Sequence, residues 1–190
     1  MMKYAIAAAA LVASSAAMAE VGTVQVFYDR SIGDGQDEIS GFGVQGYGHV
    51  APNVFLTGMF QTLDGEDFAG FDIDELRLGV GVNSTSSEKA GMYGRIEFID
   101  VELDGPGGST DGDGFGLHAG VWLAATDRLV LNAEIGIADV EGDNNAFGAS
   151  GSEFAFSASY AMSDLVSVFA ERRESVAVAP ETRFGVGFTF

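Results

Sequence analysis

The chain ends in the segment Arg183-Phe184-Gly185-Val186-Gly187-Phe188-Thr189-Phe190, in which an apolar side chain stands at every second position. Alternation with a period of two is typical of a β-strand whose two faces meet different surroundings. The same pattern recurs at residues 75–83 and 129–138, where leucine, valine and isoleucine alternate with glycine, polar and charged residues. These stretches predict a sheet with one apolar face and one face of small, polar and charged groups.

Applied to the whole chain, the alternation predicts ten strands, with eight as the alternative. Their approximate bounds are 22–30, 41–50, 53–62, 74–83, 91–100, 114–124, 128–139, 152–162, 164–174 and 181–190. Each is about as long as a tilted strand that crosses a bilayer, which needs roughly 9–11 residues. The connections alternate between short ones and longer ones rich in Gly, Asp and Ser. The short connections lie at 51–53, 84–89, 126–127 and 163–164, and 84–89 is the longest of them. The longer connections lie at 31–40, 63–73, 101–113, 140–151 and 175–180.

The N-terminus has the pattern of a secretory signal peptide. Lys3 precedes a short apolar stretch, and small residues at Ala17 and Ala19 suit cleavage before Glu20. Residues 1–19 are therefore predicted to be a signal peptide read by the Sec machinery, and residues 20–190 a single barrel domain. Beyond Glu20 no run of 18 apolar residues follows, which excludes an ordinary helical membrane protein.

The composition excludes several classes of function. Nine Lys and Arg residues stand against 28 Asp and Glu residues, a formal net charge of −19 at pH 7. Nucleic acid is not expected as a partner, because its phosphates would be repelled. The chain contains no cysteine, so disulfides and thiol ligands are unavailable. Most of the acids lie in the longer connections, where weak association of divalent cations is expected, but no dedicated metal site and no cofactor.

The charged and aromatic residues favour a membrane barrel over a soluble sandwich. The polar face carries opposite charges that could pair across an enclosed interior, nearly in balance: Arg77, Arg95, Arg173 and Arg183 against Asp29, Glu75, Glu97, Glu134 and Glu171. Aromatic residues of the apolar face collect near strand ends: Tyr28, Phe42, Phe60, Phe98, Phe154 and Phe184 at the long-loop rim, Tyr160 and Phe190 at the other. Aromatic girdles of this kind mark the two membrane–water interfaces. The predicted fold is an all-β, transmembrane, up-and-down antiparallel β-barrel.

With these features the chain resembles the small outer-membrane β-barrel proteins of Gram-negative bacteria, a porin-like group related in architecture to OmpA and OmpX. The resemblance covers the whole chain, and its most specific motif is the C-terminal strand with Phe184, Val186, Phe188 and Phe190. In that family such an ending is an assembly signal read by the barrel-assembly machinery. The resemblance implies export to the outer membrane with the help of periplasmic chaperones, and contact with outer-membrane lipid.

The function expected from the sequence is a structural or surface-interacting role with acidic extracellular loops, and not an enzyme. A narrow channel for small solutes is the alternative, because a ten-stranded barrel leaves an opening of about 10 Å at best. A hydrolase at the rim is a remote alternative that would depend on His118, since His49 is expected at the periplasmic end. Strict alternation predicts that Trp122 points inward, although so large an aromatic residue is expected on the outer face. A β-bulge or a misplaced strand boundary would explain this exception.

Overall fold

The computed structural model describes residues 22–32, 38–65, 70–142, 148–176, 178 and 180–190. Within these ranges the chain forms ten strands and no helix, and thus no helix that could cross a membrane. The strands are β1 (Gly22–Ile32), β2 (Glu38–Ala51), β3 (Val54–Gly65), β4 (Phe71–Ser87), β5 (Ala90–Gly105), β6 (Gly108–Ala124), β7 (Leu129–Gly142), β8 (Gly148–Ala161), β9 (Val166–Glu174) and β10 (Glu181–Thr189). The predicted signal peptide lies outside the described residues.

The ten strands form one closed antiparallel barrel in which each strand pairs with its neighbours in sequence. Strand β10 closes the ring by pairing with β1, from Thr23 opposite Thr189 to Ser31 opposite Glu181. The C-terminal residue takes part in this closure, since the backbone N–H of Phe190 donates to the carbonyl of Gly22 over 3.1 Å. The prediction of an all-β up-and-down barrel is confirmed, and the eight-stranded alternative is wrong.

The predicted faces also agree with the structure. Leu78, Val80 and Val82 of β4 point outward, whereas Arg77 lies in the interior. Trp122 follows the strict alternation and points inward beside Gly91, with which it pairs in an unbroken register. A large aromatic fits there because Gly91 has no side chain. The bulge or boundary error considered at Trp122 is therefore not needed.

The connections at one rim are shorter than the sequence suggested. The segment 101–113 was predicted to be a loop, but β5 and β6 pair along it from Gly105 opposite Gly108 onward, around a turn at residues 106–107. Strands β3 and β4 likewise extend into the predicted loop 63–73. At the opposite rim the connection at 84–89 is also tight, because Ser87 pairs with Ala90. Strand pairing therefore continues well beyond the predicted strand ends.

The outward aromatics form contacts with each other near the rim where the strands extend. Tyr28 and Phe42 meet edge to face at 5.3 Å between ring centroids, and Phe98 meets Phe115 at 5.8 Å. Most predicted members of the girdles are exposed on the outer face, whereas Phe60 is only 9% exposed because it is packed among its neighbours.

Candidate functional site

The two faces of the barrel exchange their polarity at one level along the strands. In β4, Leu76 and Leu78 point outward at the level where Glu75 and Arg77 point inward, but above them Asp72 and Asp74 point outward and Ile73 inward. Strand β5 repeats the exchange, with Phe98 outward below and Asp100 outward above. An outer face changes from apolar to charged where the surroundings change from hydrocarbon to water. The exchange therefore marks the edge of the apolar belt.

Above this level the interior is filled with aliphatic side chains, which we name the apolar plug. It consists of Leu63, Ile73, Ile99, Val101, Ala138, Val140 and Val178, with Ile39, Leu103 and Val176 packed against them. Val178 comes from the connection between β9 and β10, and it is only 5% exposed. Residues 175 and 176 are held by Glu153, which accepts hydrogen bonds from the Val176 N–H over 3.1 Å and from the Ser175 hydroxyl over 3.0 Å. The plug occupies the interior at this end of the barrel.

The outer face around the plug carries a continuous acidic belt on β3 to β7. Its members are Asp64, Asp72, Asp74, Asp100, Glu102, Asp104, Asp111, Asp113, Asp139 and Glu141. Several carboxylates stand directly opposite each other across strands, among them Asp72 with both Asp64 and Asp104. Burial raises the pKa of Asp72, and the negative charges of these neighbours raise this pKa further. Like charges in direct register are destabilising.

Below the plug the interior holds two connected groups of ionised side chains. The first centres on Arg183, which is fully buried. Its guanidinium donates to Asp29 over 2.8 Å, to Glu181 over 2.9 Å and to Glu171 over 3.2 Å. It also donates to the side-chain oxygen of Gln61 over 2.7 Å. This single side chain ties β10 to strands on both sides of it and to β3 across the barrel.

The second group centres on Arg77. Its guanidinium donates to Glu75 and to Glu97 over 2.6 Å each, and to both carboxylate oxygens of Glu153 over 2.8 and 2.9 Å. Gln61 joins the two groups, since its amide donates to both Glu75 and Glu181. The interior is thus crossed by direct hydrogen bonds between strands that are far apart in the ring.

The remaining predicted charges join the second group at its edges. Arg95 pairs with Glu134 at 2.7 Å and with Glu97 at 3.1 Å. Arg173 lies 3.9 Å from Glu153. The structure therefore brings together all eight network residues proposed from the sequence, namely Arg77, Arg95, Arg173, Arg183, Glu75, Glu97, Glu134 and Glu171.

The network proposed from the sequence leaves out three ionisable members: Glu153, Glu181 and His118. Both carboxylates sit on inward positions of their strands, but each lies in or beside a segment that was assigned to a loop or a strand end. With them, the described interior holds four guanidinium groups against seven carboxylates. The predicted near-balance is therefore wrong, since negative groups exceed positive ones by three.

The two histidines lie at different levels of the barrel. His49 is near the short-turn rim, where its Nε2 lies 2.7 Å from the amide nitrogen of Asn83. His118 is 3% exposed and lies in the interior beside the Arg77 group. It is therefore not at a rim open to an external substrate, as the hydrolase alternative requires. Within the described ranges, Glu97, His118 and Glu153 are the group whose ligand atoms lie close enough together, within 4.8 Å, to share a metal ion.

Comparison with known proteins identifies the fold. No protein-family model matches the chain, and no curated protein matches its sequence. Among solved structures, an outer-membrane channel from Pseudomonas putida F1 is similar to this chain, with a TM-score of 0.58 at 10% sequence identity. The match covers 90% of this chain and 96% of the channel's chain. This chain has the fold of an outer-membrane β-barrel.

Two further structures with this architecture are similar at lower scores. The match to the translocator domain of the autotransporter NalP from Neisseria meningitidis covers 98% of this chain and 96% of that domain's chain, at a TM-score of 0.48 and 12% sequence identity. The KdgM porin covers 88% and 99%, at a TM-score of 0.47 and 8% identity. The fold shared with the Pseudomonas putida channel and the outward apolar belt support a place in the bacterial outer membrane, whereas Sec export and cleavage before Glu20 stay predictions.

Proposed function

We propose that this chain is a closed outer-membrane barrel that presents the acidic belt to the medium in a structural or surface-interacting role. The observation that carries the proposal is the double closure of the interior. The apolar plug fills the outer end, and the ion pairs around Arg77 and Arg183 cross the barrel beneath it. A solute would have to displace both layers, and breaking buried ion pairs costs several kcal/mol each. The proposal therefore includes no permanent conduction pathway.

The proposal also assigns partners that follow from the outer face and the C-terminus. Lipid covers the outward apolar side chains, because hydrocarbon accommodates them and the closed ring of the described strands leaves no unpaired sheet edge. The outward row Phe184, Val186 and Phe188 on β10, continued by Phe190 after the strand, is the assembly signal for the barrel-assembly machinery, after delivery by periplasmic chaperones. Divalent cations associate weakly with the acidic belt and reduce its self-repulsion.

Conductance in planar bilayers tests the closed state. We expect the purified protein to give no discrete current steps, and a Val178→Ala, Arg77→Ala double variant to give small ones, because it loosens both layers. Stable steps from the unmodified protein would support a narrow channel for small solutes and refute the closed state. A double variant that folds and remains silent would show that other groups close the barrel.

Labelling of single cysteines tests the orientation, since the chain has none of its own. Asp111 lies on the acidic belt, and Asp127 lies in the turn between β6 and β7 at the opposite rim. Both side chains are exposed. In intact cells, a membrane-impermeant maleimide should label the Asp111→Cys variant and spare Asp127→Cys until the outer membrane is permeabilised. The reverse pattern would place the acidic belt in the periplasm and contradict a surface role.

A further inference from the structure

The imidazole of His118 is enclosed by carboxylates from three other strands. Its Nε2 lies 2.9 Å from Glu97 Oε1 on β5 and 3.5 Å from Glu153 Oε2 on β8, and its Nδ1 lies 3.4 Å from Glu134 Oε1 on β7. Within the described part of the chain, Nε2 makes no well-formed hydrogen bond, although Glu97 Oε1 lies only 2.9 Å away. A buried nitrogen that is surrounded by acceptors but bonded to none of them needs a further partner.

Neither neutral form of the ring satisfies this environment. A neutral imidazole carries one N–H and one lone pair. With the proton on Nδ1, the Nε2 lone pair faces the oxygens of Glu97 and Glu153; with the proton on Nε2, the Nδ1 lone pair faces Glu134. Either form therefore places an acceptor against an acceptor. A cation bound at Nε2 removes this conflict, while an Nδ1–H can donate toward Glu134.

The spacing of the three ligand atoms suits such a cation. Zinc binds imidazole nitrogen and carboxylate oxygen at about 2.0–2.2 Å in tetrahedral sites, which places neighbouring ligand atoms roughly 3.3–3.6 Å apart. The distances from His118 Nε2 to Glu97 and Glu153 are 2.9 and 3.5 Å, and all three ligand atoms lie within 4.8 Å of each other. We propose that Glu97, His118 and Glu153 bind a divalent transition-metal ion such as Zn²⁺.

The surrounding groups are compatible with this proposal. Arg77 already donates to Glu97 Oε1 and Glu153 Oε2, but an ionised carboxylate offers about four lone-pair sites and can accept Arg77 and bind a metal together. The three extra negative groups of the interior favour a bound cation over an additional neutral group. Glu134 beside Nδ1 occupies the position of the outer carboxylate that commonly orients a metal-binding histidine.

Two glycines leave the room that the ring needs. A Cβ at Gly136 would overlap with His118 Nδ1, and a Cβ at Gly116 would lie 2.6 Å from Nε2. The ring is therefore held flat against β6 and β7 by positions that only glycine can occupy without moving it. The site was not expected from the sequence, because its ligands come from three strands and form no local motif.

Metal retention after refolding tests the site. The enclosed position calls for adding Zn²⁺ during refolding into detergent, followed by gel filtration with excess Ca²⁺ to remove cations from the acidic belt. We expect one equivalent of zinc to remain in the unmodified protein and in the His49→Ala control, and His118→Ala and Glu153→Gln to lose at least 10-fold in affinity. Equal retention by His118→Ala would overturn the proposal.

A second measurement needs no variant and applies even if His118→Ala does not fold. Refolding the unmodified protein with Co²⁺ in place of Zn²⁺ should produce the visible absorption of a tetrahedral site with nitrogen and oxygen ligands, which added Zn²⁺ should abolish. At 100 times the dissociation constant, bound Zn²⁺ should also raise the unfolding midpoint by about 5–10 °C. Absence of both signals would overturn the metal site.

Discussion

The Arg183→Met substitution should destabilise the folded barrel by about 3–5 kcal/mol, the range found when one partner of a buried ion pair is removed. The side chain is fully buried, and its guanidinium binds Asp29, Glu171 and Glu181. Methionine keeps most of the volume beside Phe27, whose ring centroid lies 4.8 Å from the Arg183 Cζ. The loss therefore measures the effect of uncompensated carboxylates more than that of a cavity. The upper end of the range is expected because three carboxylates lose the guanidinium that pairs with them.

Urea unfolding in detergent micelles, followed by the heat-modifiable mobility of the barrel on gels, measures this loss. Arg172→Met is the matched control, because Arg172 is exposed on the outer face and makes one hydrogen bond to Thr182 over 3.0 Å. Its effect should stay within about 0.5 kcal/mol. Adding Asp29→Asn to Arg183→Met should recover part of the stability, since one unpaired negative charge is then removed. A loss below about 1 kcal/mol for Arg183→Met, which is typical of solvent-exposed pairs, would mean that water screens the interior.

Three further outcomes follow from the outer face and the C-terminus. Leu78→Arg, at mid-strand on the lipid side, should cost about 2–4 kcal/mol in lipid vesicles, whereas Ser157→Ala in the interior should cost less than about 1 kcal/mol; equal costs would contradict the assigned faces. The pKa values of Asp72 and Asp100 are raised by burial and by neighbouring carboxylates, so their charged forms destabilise the barrel above the raised pKa. Stability should therefore increase as the pH falls through that raised pKa towards the ordinary value of 3.8, and this increase should shrink in Asp72→Asn. An unchanged pH profile in Asp72→Asn would show that the other carboxylates of the acidic belt do not repel Asp72. Deletion of Phe190 should lower the yield of assembled barrel in cells more than its refolding in detergent, and equal losses would favour a purely structural role.

The fold could be predicted from the sequence because its main determinant is local. Alternation of apolar and polar residues specifies the strands and their faces, and it specified even the inward position of Trp122. The rim was harder, because there the alternation continues with the faces reversed. The run Asp100-Val101-Glu102-Leu103-Asp104 has the period of a strand, but its outward acids gave it the composition of a loop. Composition therefore obscured a strand pattern that was present in the sequence.

The interior network could be predicted only in part, for a different reason. Arg77 and Glu97 lie inside long alternating strands, so their direction follows from the period. The contact of Arg77 with Glu153 joins β4 to β8, and no spacing in the sequence indicates which side chains meet across the barrel. Space also matters: sequence alone suggests that Gly79→Ser is mild, but a Cβ at Gly79 would lie 2.8 Å from the Ile96 carbonyl oxygen. Such close approaches depend on the curvature of the closed sheet.

The acidic belt has a consequence for how the barrel enters its membrane. In the orientation proposed above, the rim that carries Asp72, Asp100 and their neighbours has to pass through the hydrocarbon layer during insertion from the periplasm before it reaches water on the far side. Each ionised side chain on the lipid face costs energy at the midplane. The same charges, which destabilise the folded barrel only through their mutual repulsion once they are in water, therefore form a kinetic barrier during insertion. After insertion, the same barrier opposes movement of the charged rim back through the hydrocarbon layer, and it thereby favours retention of the barrel in that orientation.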